Sequence, residues 1–306
     1  MRAIRIHGYG DASVLRHEDV PRPVPERGEV LIRVAATSFN PSEIGLRSGL
    51  LRSVFPLELP HVLGWDVAGT VVEVGSNVRT FTIHDRVIGL LDSGAAAEYA
   101  VAPIETLVPA PTSIPLTYSA AIPVAGLTAW QAVFDHAHVT TGQRVLVNGA
   151  GGGVGGFAVQ LAKYAGAHVI ATASPRSSGA VGRLGADEII DYTASPIADQ
   201  LDEPVDTVLN LAAITRRQAD ALAPLLRPGG ILVSITTPIE LPTGIPVTVK
   251  NFVARNDTSQ LAELVALVDT GAVHIDVAAY RPLADLAAVH RDAESGRTRG
   301  KIIVVP

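Results

Sequence analysis

The sequence predicts an α/β chain built of a β-rich module followed by a doubly wound, mostly parallel sheet. Three observations carry this. Short runs rich in β-branched residues, separated by Gly, Pro, Asn and Asp, crowd residues 1–115. From residue 144 onward, apolar runs of strand length alternate with segments of helical period. A glycine cluster, NGAGGGVGGF at 148–157, joins the first of those runs to the first of those helices.

In the first module EVLIRVAA (29–36), AGTVVEVG (68–75), DRVIGLL (85–91) and AEYAVAP (97–103) read as strands bounded by turn residues. The second begins with RVLVNGA (144–150) and the apolar-periodic VGGFAVQLAKYAG (154–166). HVIATAS (168–174), a helical stretch to Leu184, and EIIDY (188–192) follow. VDTVLNLA (205–212) precedes helical RQADALAPLL (217–226), and GGILVSITT (229–237) and PVTVKNFVA (246–254) complete the series. Continuous apolar strands separated by helices are strands covered on both faces, hence parallel. Two amphipathic helices follow residue 258. The closing KIIVV (301–305) has no place in the parallel count and is expected to return to the first module. A length of 306 residues suits about two domains. They are expected at 1–120, completed by 257–306, and at 121–256.

Composition narrows the function. With 47% hydrophobic and 18% charged residues the chain is not disordered. Its net charge of −6 and the lack of any like-charged block argue against nucleic acid as the main ligand. The absence of cysteine excludes a disulfide framework, a thiolate nucleophile and any metal site needing a cysteine ligand. The opening MRAIRIHGYGD has no apolar signal region. The longest uncharged stretch, 106–134, is broken by Pro109, Pro111, Pro115 and Pro123. A soluble, cytoplasmic protein without a membrane span is expected.

A glycine cluster can be a merely flexible loop. Here it follows an apolar strand and opens an apolar-periodic helix, which is the context of a dinucleotide-binding turn. Glycine permits the tight turn and close backbone approach to a pyrophosphate, and the helix N-terminus supplies N–H groups. An NAD site places a carboxylate about 20 residues on, at the end of the second strand. This chain has Ala173-Ser174-Pro175-Arg176 there and no carboxylate before Asp187. Arg176 offers a fork for a 2′-phosphate and Ser174 a hydroxyl, so NADPH is favoured over NADH. The alternative is a solvated arginine at a helix start.

Taken together, NPSEIGLRSG (40–49), LGWDVAGTVVEVGSNV (63–78), HDRVIGL (84–90), AGLTAWQAV (125–133), the glycine segment to Ser174, LGADEIIDY (184–192) and RGKIIVV (299–305) resemble the zinc-free quinone oxidoreductase branch of the medium-chain dehydrogenase/reductase superfamily. The resemblance runs from end to end. It implies a GroES-like β-rich catalytic domain, a Rossmann cofactor domain, and a cofactor in the cleft between them. Zinc-using relatives carry cysteine where this chain has Asn40, and Gly-His-Glu where it has Gly64-Trp65-Asp66. No metal site is therefore expected.

The resemblance further implies that Thr128 contacts the nicotinamide or its phosphates and that Gly152, Gly153 and Val154 line the pyrophosphate. Ser174, Arg176 and Tyr192 would surround the 2′-phosphate and adenosine, and Lys301 would reach the cofactor or a domain-closing contact. Asn40 would stand beside the nicotinamide with its amide N–H toward a substrate carbonyl; by itself Asn40-Pro41 is equally a turn former. Relatives often carry an aromatic residue two places after the acid that follows Asn-Pro, whereas Glu43 is followed by Ile44 and Gly45. That departure weakens the case for quinone.

Without a metal to polarise an alcohol oxygen, a conjugated carbonyl is the better hydride acceptor, because its charge spreads into an enolate that hydrogen-bond donors stabilise. The expected activity is an NADPH-dependent enone or quinone reductase acting on a small molecule. The alternatives are a biosynthetic enoyl reductase of the same fold, or a non-catalytic NADPH-binding relative acting as a sensor or RNA-binding protein. No Tyr-x-x-x-Lys exists for a short-chain dehydrogenase. The run 246–254 reads as an edge strand, and a homodimer joined through it is expected.

Overall fold

The computed structural model describes residues 1–306 except 237, 241–243 and 245. The chain divides into two units. Unit 1 comprises Met1–Val124, Asn256–Asp269 and Val277–Pro306; unit 2 comprises Ala125–Arg255 and Thr270–Asp276.

Unit 1 is built on antiparallel strands β1 (Arg2–Ile6), β2 (Arg16–Asp19), β3 (Glu29–Phe39), β4 (His61–Val62), β5 (Asp66–Val74), β6 (Arg86–Leu90), β7 (Tyr99–Pro103) and β8 (Leu107–Pro109). Helix α1 (Ser42–Ser48) leaves the end of β3 and α2 (Leu116–Ser119) follows β8, while α3 (Pro123–Trp130) begins in unit 1 and lies mostly in unit 2. A small sheet runs β2-β1-β4, and β3 pairs β5 and β7. Strand β3 is buried on both faces (Val30, Leu31 and Ile32 are all fully buried), so it reads as a continuous apolar run despite its antiparallel partners.

Unit 2 contains β9 (Arg144–Asn148), β10 (His168–Ala173), β11 (Glu188–Asp191), β12 (Val205–Asn210), β13 (Leu226–Ser234) and β14 (Thr248–Asn251). Between them lie α4 (Gly153–Tyr164), α5 (Pro175–Arg183) and α6 (Arg216–Asp220). All six strands are parallel, in the order β11-β10-β9-β12-β13-β14. The order reverses between β9 and β12, the switch point at which doubly wound sheets open a crevice beyond their carboxyl ends. Leu146, Ile170, Val208 and Leu232 are fully buried along these strands. Strand β14 lies at the sheet edge; the expected run to Ala254 stops at Asn251, and Thr237 of the preceding run lies outside the described residues.

The chain then forms α7 (Thr258–Asp269), β15 (Val277–Pro282), α8 (Leu286–Glu294) and β16 (Lys301–Val305). Strand β16 pairs antiparallel with β3 through Ile302↔Phe39 and Ile303↔Ser38, and β15 adds beside it. The sequence does not mark β15, because VAAYRP lacks both alternation and a long β-branched run. Residues 270–276, expected with the first domain, belong to unit 2. There the Gln160 amide clamps the His274 backbone, donating to its carbonyl at 3.0 Å and accepting from its N–H at 2.7 Å. Gln131, in a π-helical turn after α3, holds the Arg255 backbone in the same two-bond manner at 2.9 and 3.0 Å. No described helix is long and apolar enough to cross a membrane.

Candidate functional site

In unit 2 the glycine loop leaves β9 at Asn148. Gly149 sits at φ +94°, in the left-handed region, and a Cβ there would meet the Ala212 backbone N at 3.0 Å. Gly152 precedes α4 without any side-chain cap. The first-turn N–H groups are therefore left by the protein for another acceptor. A Cβ on Gly155 would lie 2.2 Å from the Gly149 carbonyl oxygen, so only glycine lets the helix pack this tightly on the loop. A Cβ on exposed Gly152 would meet only that oxygen, at 3.4 Å. The backbone is thus open where a phosphate would approach and closed behind it. Gly152, Gly153 and Val154 all lie at this helix start, and the cradle fits a dinucleotide.

Behind the loop runs a buried polar ladder across four strand ends. The Gly149 N–H donates to Thr172 Oγ1 at 2.9 Å, and Thr172 Oγ1 donates to Asn148 Oδ1 at 2.9 Å. Asn148 Nδ2 donates to Asn210 Oδ1 at 2.9 Å, across the switch point, and Asn210 Nδ2 to Ser234 Oγ at 3.0 Å. Sequence reasoning missed this ladder. Its signal was present: RVLVN, VDTVLN and ILVS each end on a polar side chain, and HVIATA carries Thr172 one place before its end.

Ser174 precedes α5 as its N-cap, but its side chain makes no cap hydrogen bond. Arg176 lies exposed in the first turn of that helix. Ala173 pairs with Asp191, a register that sets Ser174 and Tyr192 side by side just past their strand ends; Tyr192 is exposed. Thr128 lies buried in α3, three residues before the π-helical turn. These expected cofactor residues belong to unit 2; Lys301 does not.

Lys301 instead joins Asn40 in a buried cluster of unit 1. Three strand ends converge there. The β3–β16 register continues to set Lys301 opposite Asn40, and the β3–β5 pairing Ala36↔Ala68 carries Ser38 toward Asp66. Asn40, Glu43, Asp66 and Lys301 are each at most 4% exposed. Lys301 Nζ donates to Asn40 Oδ1 at 2.9 Å and to the Phe39 carbonyl at 3.4 Å, and lies 3.5 Å from Asp66 Oδ2. Asn40 Nδ2 donates to Asp66 Oδ2 at 2.9 Å and to Glu43 Oε1 at 3.3 Å. Asp66 also accepts from Ser38 Oγ and from the Val124 N–H at 2.7 Å. The Asn40 amide, expected to face a substrate carbonyl, is thus turned onto two carboxyl groups.

Glu43 is the functional candidate that sequence reasoning left without a role. It reaches back from α1 to the Asn40 N–H at 3.3 Å, as the third residue of a capping box does, and Asn-x-x-Glu is a visible signature of that contact. Burial, and then the charge of Asp66, push its carboxyl up to about 8. Glu43 is a neutral acid at physiological pH.

The metal-ligand positions of zinc-using relatives do not fit zinc in this chain. Asn40 offers an amide already spent on Lys301 and the carboxyls, Trp65 offers no lone pair, and an ammonium already balances Asp66. Among the described residues no three His, Cys, Asp or Glu side chains come together as a metal centre.

Comparison with known proteins places these features in a family. Residues 26–112 match the description "Alcohol dehydrogenase GroES-like domain", and residues 184–304 match "Zinc-binding dehydrogenase". A chloroplast envelope quinone oxidoreductase homolog from Arabidopsis thaliana is 36% identical, covering 100% of this chain and 98% of that protein. The structure of the quinone oxidoreductase from Coxiella burnetii matches with a TM-score of 0.90 and 30% identity, over 100% of this chain and 99% of that one. That of Escherichia coli quinone oxidoreductase complexed with NADPH matches with a TM-score of 0.89 and 25% identity, over 100% of both chains.

Proposed function

The chain belongs to the quinone oxidoreductase type of the medium-chain dehydrogenase/reductase superfamily, and from that premise we propose that it is an NADPH-dependent, metal-independent reductase of conjugated carbonyls, enones or quinones. As a member of that family it is an oxidoreductase using a nicotinamide cofactor and a small-molecule substrate. The observation that carries the finer reading is the Lys301–Asn40–Asp66 cluster, in which Asn40 and Asp66, at two of the metal-ligand positions, are satisfied by each other and by Lys301. A site without a Lewis acid suits an acceptor that delocalises its own developing charge.

The glycine turn and the N-terminus of α4, through Gly152, Gly153 and Val154, would hold the pyrophosphate, and Thr128 the nicotinamide half. Ser174, Arg176 and Tyr192 would surround the adenosine 2′-phosphate, where the end of β10 carries no carboxylate of the kind that bonds a free ribose hydroxyl. Bound there, the reduced nicotinamide supplies a hydride. The protein's part is to bind, orient and exclude water. Asn40 and Lys301 act in this scheme by fixing the charge of the cluster; the Lys301 ammonium is engaged inside unit 1.

The test is direct. Purified protein with NADPH and a panel of enones and quinones is expected to oxidise the cofactor, and equal NADH to do so more slowly. Tight NADPH binding with no turnover anywhere in the panel would overturn the enzymatic reading. We also propose a homodimer joined through the β14 edge, which leaves Val253 74% exposed beside it. Sedimentation at micromolar concentration checks this.

A further inference from the structure

We propose that Glu43 is the proton donor of the reduction, its Oε2 passing a proton to the enolate or hydroquinone anion that hydride addition creates. This rests on the reading above, that a conjugated carbonyl is reduced.

The geometry singles out one atom. Asp66 Oδ1 accepts from the Val124 N–H, and Oδ2 from Ser38, Asn40 and Lys301. Asn40 Oδ1 accepts from Lys301, and Glu43 Oε1 takes both the backbone and the amide N–H of Asn40. Glu43 Oε2 has no hydrogen-bond partner among the described residues. It is the open valence of an otherwise closed network.

Charge explains why a proton sits there. Asp66 from β5, Lys301 from β16 and the Asn40 amide at the end of β3 are the groups that face Glu43. The single ammonium balances Asp66. A second carboxylate at 1% exposure would leave the cluster negative inside the protein, which is costly. Glu43 therefore keeps its proton up to about pH 8. With Oε1 serving as acceptor, the proton lies on Oε2. That O–H has no acceptor among the described residues, and a substrate would supply one.

The step balances. Hydride entering at the β-carbon of an enone moves a pair of electrons onto the carbonyl oxygen as an enolate. The O–H bond at Glu43 Oε2 breaks, a C–H bond forms at the α-carbon, and the C=O bond is restored. Glu43 is left as a carboxylate and regains a proton from water. With a quinone the proton goes to oxygen. An acid titrating near the working pH suits such a transfer.

The experiment compares the full-length wild type with Glu43→Gln, using NADPH and an enone. The variant is expected to bind NADPH normally by fluorescence titration but to lose about 10²–10⁴-fold in kcat. The wild-type rate falls as pH rises past about 8, and the variant lacks that limb. In D₂O the wild type delivers deuterium to one face of the α-carbon and the variant to both. Independently of cofactor and turnover, the infrared carbonyl band of a protonated carboxyl is expected in the wild type, lost near pH 8 and absent from Glu43→Gln. Glu43→Asp, keeping the acid one methylene back, should recover part of the rate with its pH limb. Undiminished kcat and one-faced deuteration in Glu43→Gln, or a wild type without the band, overturns the assignment and leaves the reductase reading standing. A wild type that reduces no enone or quinone overturns both.

Discussion

Lys301 donates a hydrogen bond to Asn40 at 2.9 Å across 261 residues of sequence. Strand β16 brings them together by pairing with β3, and the contact closes a buried network of one cation, one amide and two carboxyl groups. Its stability consequences are distinct from its chemical ones.

Lys301→Met leaves Asp66 uncompensated in a fully buried position. Removing one partner of a buried ion pair typically costs about 3–5 kcal/mol, and we expect a loss of that order in urea unfolding. Lys301→Met combined with Asp66→Asn should recover much of it, since no unpaired charge remains. Equal losses in the single and double variants would contradict the pairing.

Two buried groups give stability opposite pH slopes. His290 is fully buried against Phe39 (ring centroids 4.9 Å apart), and burial followed by the Arg47 charge lowers it to about 3 from 6.5. The unfolded chain binds a proton there that the native state refuses, so stability is full above pH 6.5 and falls as pH drops toward 3. The limiting slope is about 1.4 kcal/mol per pH unit. Glu43, raised to about 8 from 4.5, acts in reverse: its contribution is full below pH 4.5 and is lost as pH rises to 8. Urea midpoints against pH should show His290→Leu flattening the acid limb and Glu43→Gln the alkaline one.

The glycine loop separates stability from binding. Gly155→Ala forces a Cβ to within 2.2 Å of the Gly149 carbonyl oxygen, and overpacking of this kind costs about 1–3 kcal/mol. Gly152→Ala meets only a 3.4 Å contact and should fold normally, yet in the proposed site its methyl group would stand in the way of the phosphate. Thermal melting and NADPH titration of the two variants should therefore give opposite results.

Cofactor preference is expected to rest on Arg176. A hydrogen bond to a charged group contributes about 1.5–3 kcal/mol, so Arg176→Ala should weaken NADPH binding at least tenfold and leave NADH binding nearly unchanged. Equal loss of both cofactors would place Arg176 away from the 2′-phosphate.

Much of the fold was legible because it is written in local patterns. The apolar runs RVLVN, HVIATA and VDTVLN separated by helical segments announce a parallel sheet, and glycines at 149 and 155 mark a turn no Cβ could enter. Strand β15 stayed hidden because VAAYRP borrows its pairing from β16 instead of declaring it. The break at 270–276 stayed hidden because it depends on Gln160, whose amide looks like any polar helical residue until it meets His274.

The missing cysteines, the non-ligands Asn40 and Trp65 and the strand–glycine–helix junction were determined by sequence alone, since residue identity and short-range spacing suffice for them. What Lys301, Asp66 and Glu43 do was decided only by tertiary structure. Their charges acquire meaning when β3, β5 and β16 end at one point from which water is excluded. There the ammonium settles on Asn40 and beside Asp66, and Glu43 keeps its proton. In an unfolded chain the same side chains are solvated and independent, because electrostatic coupling of this strength requires burial and a few ångströms of separation.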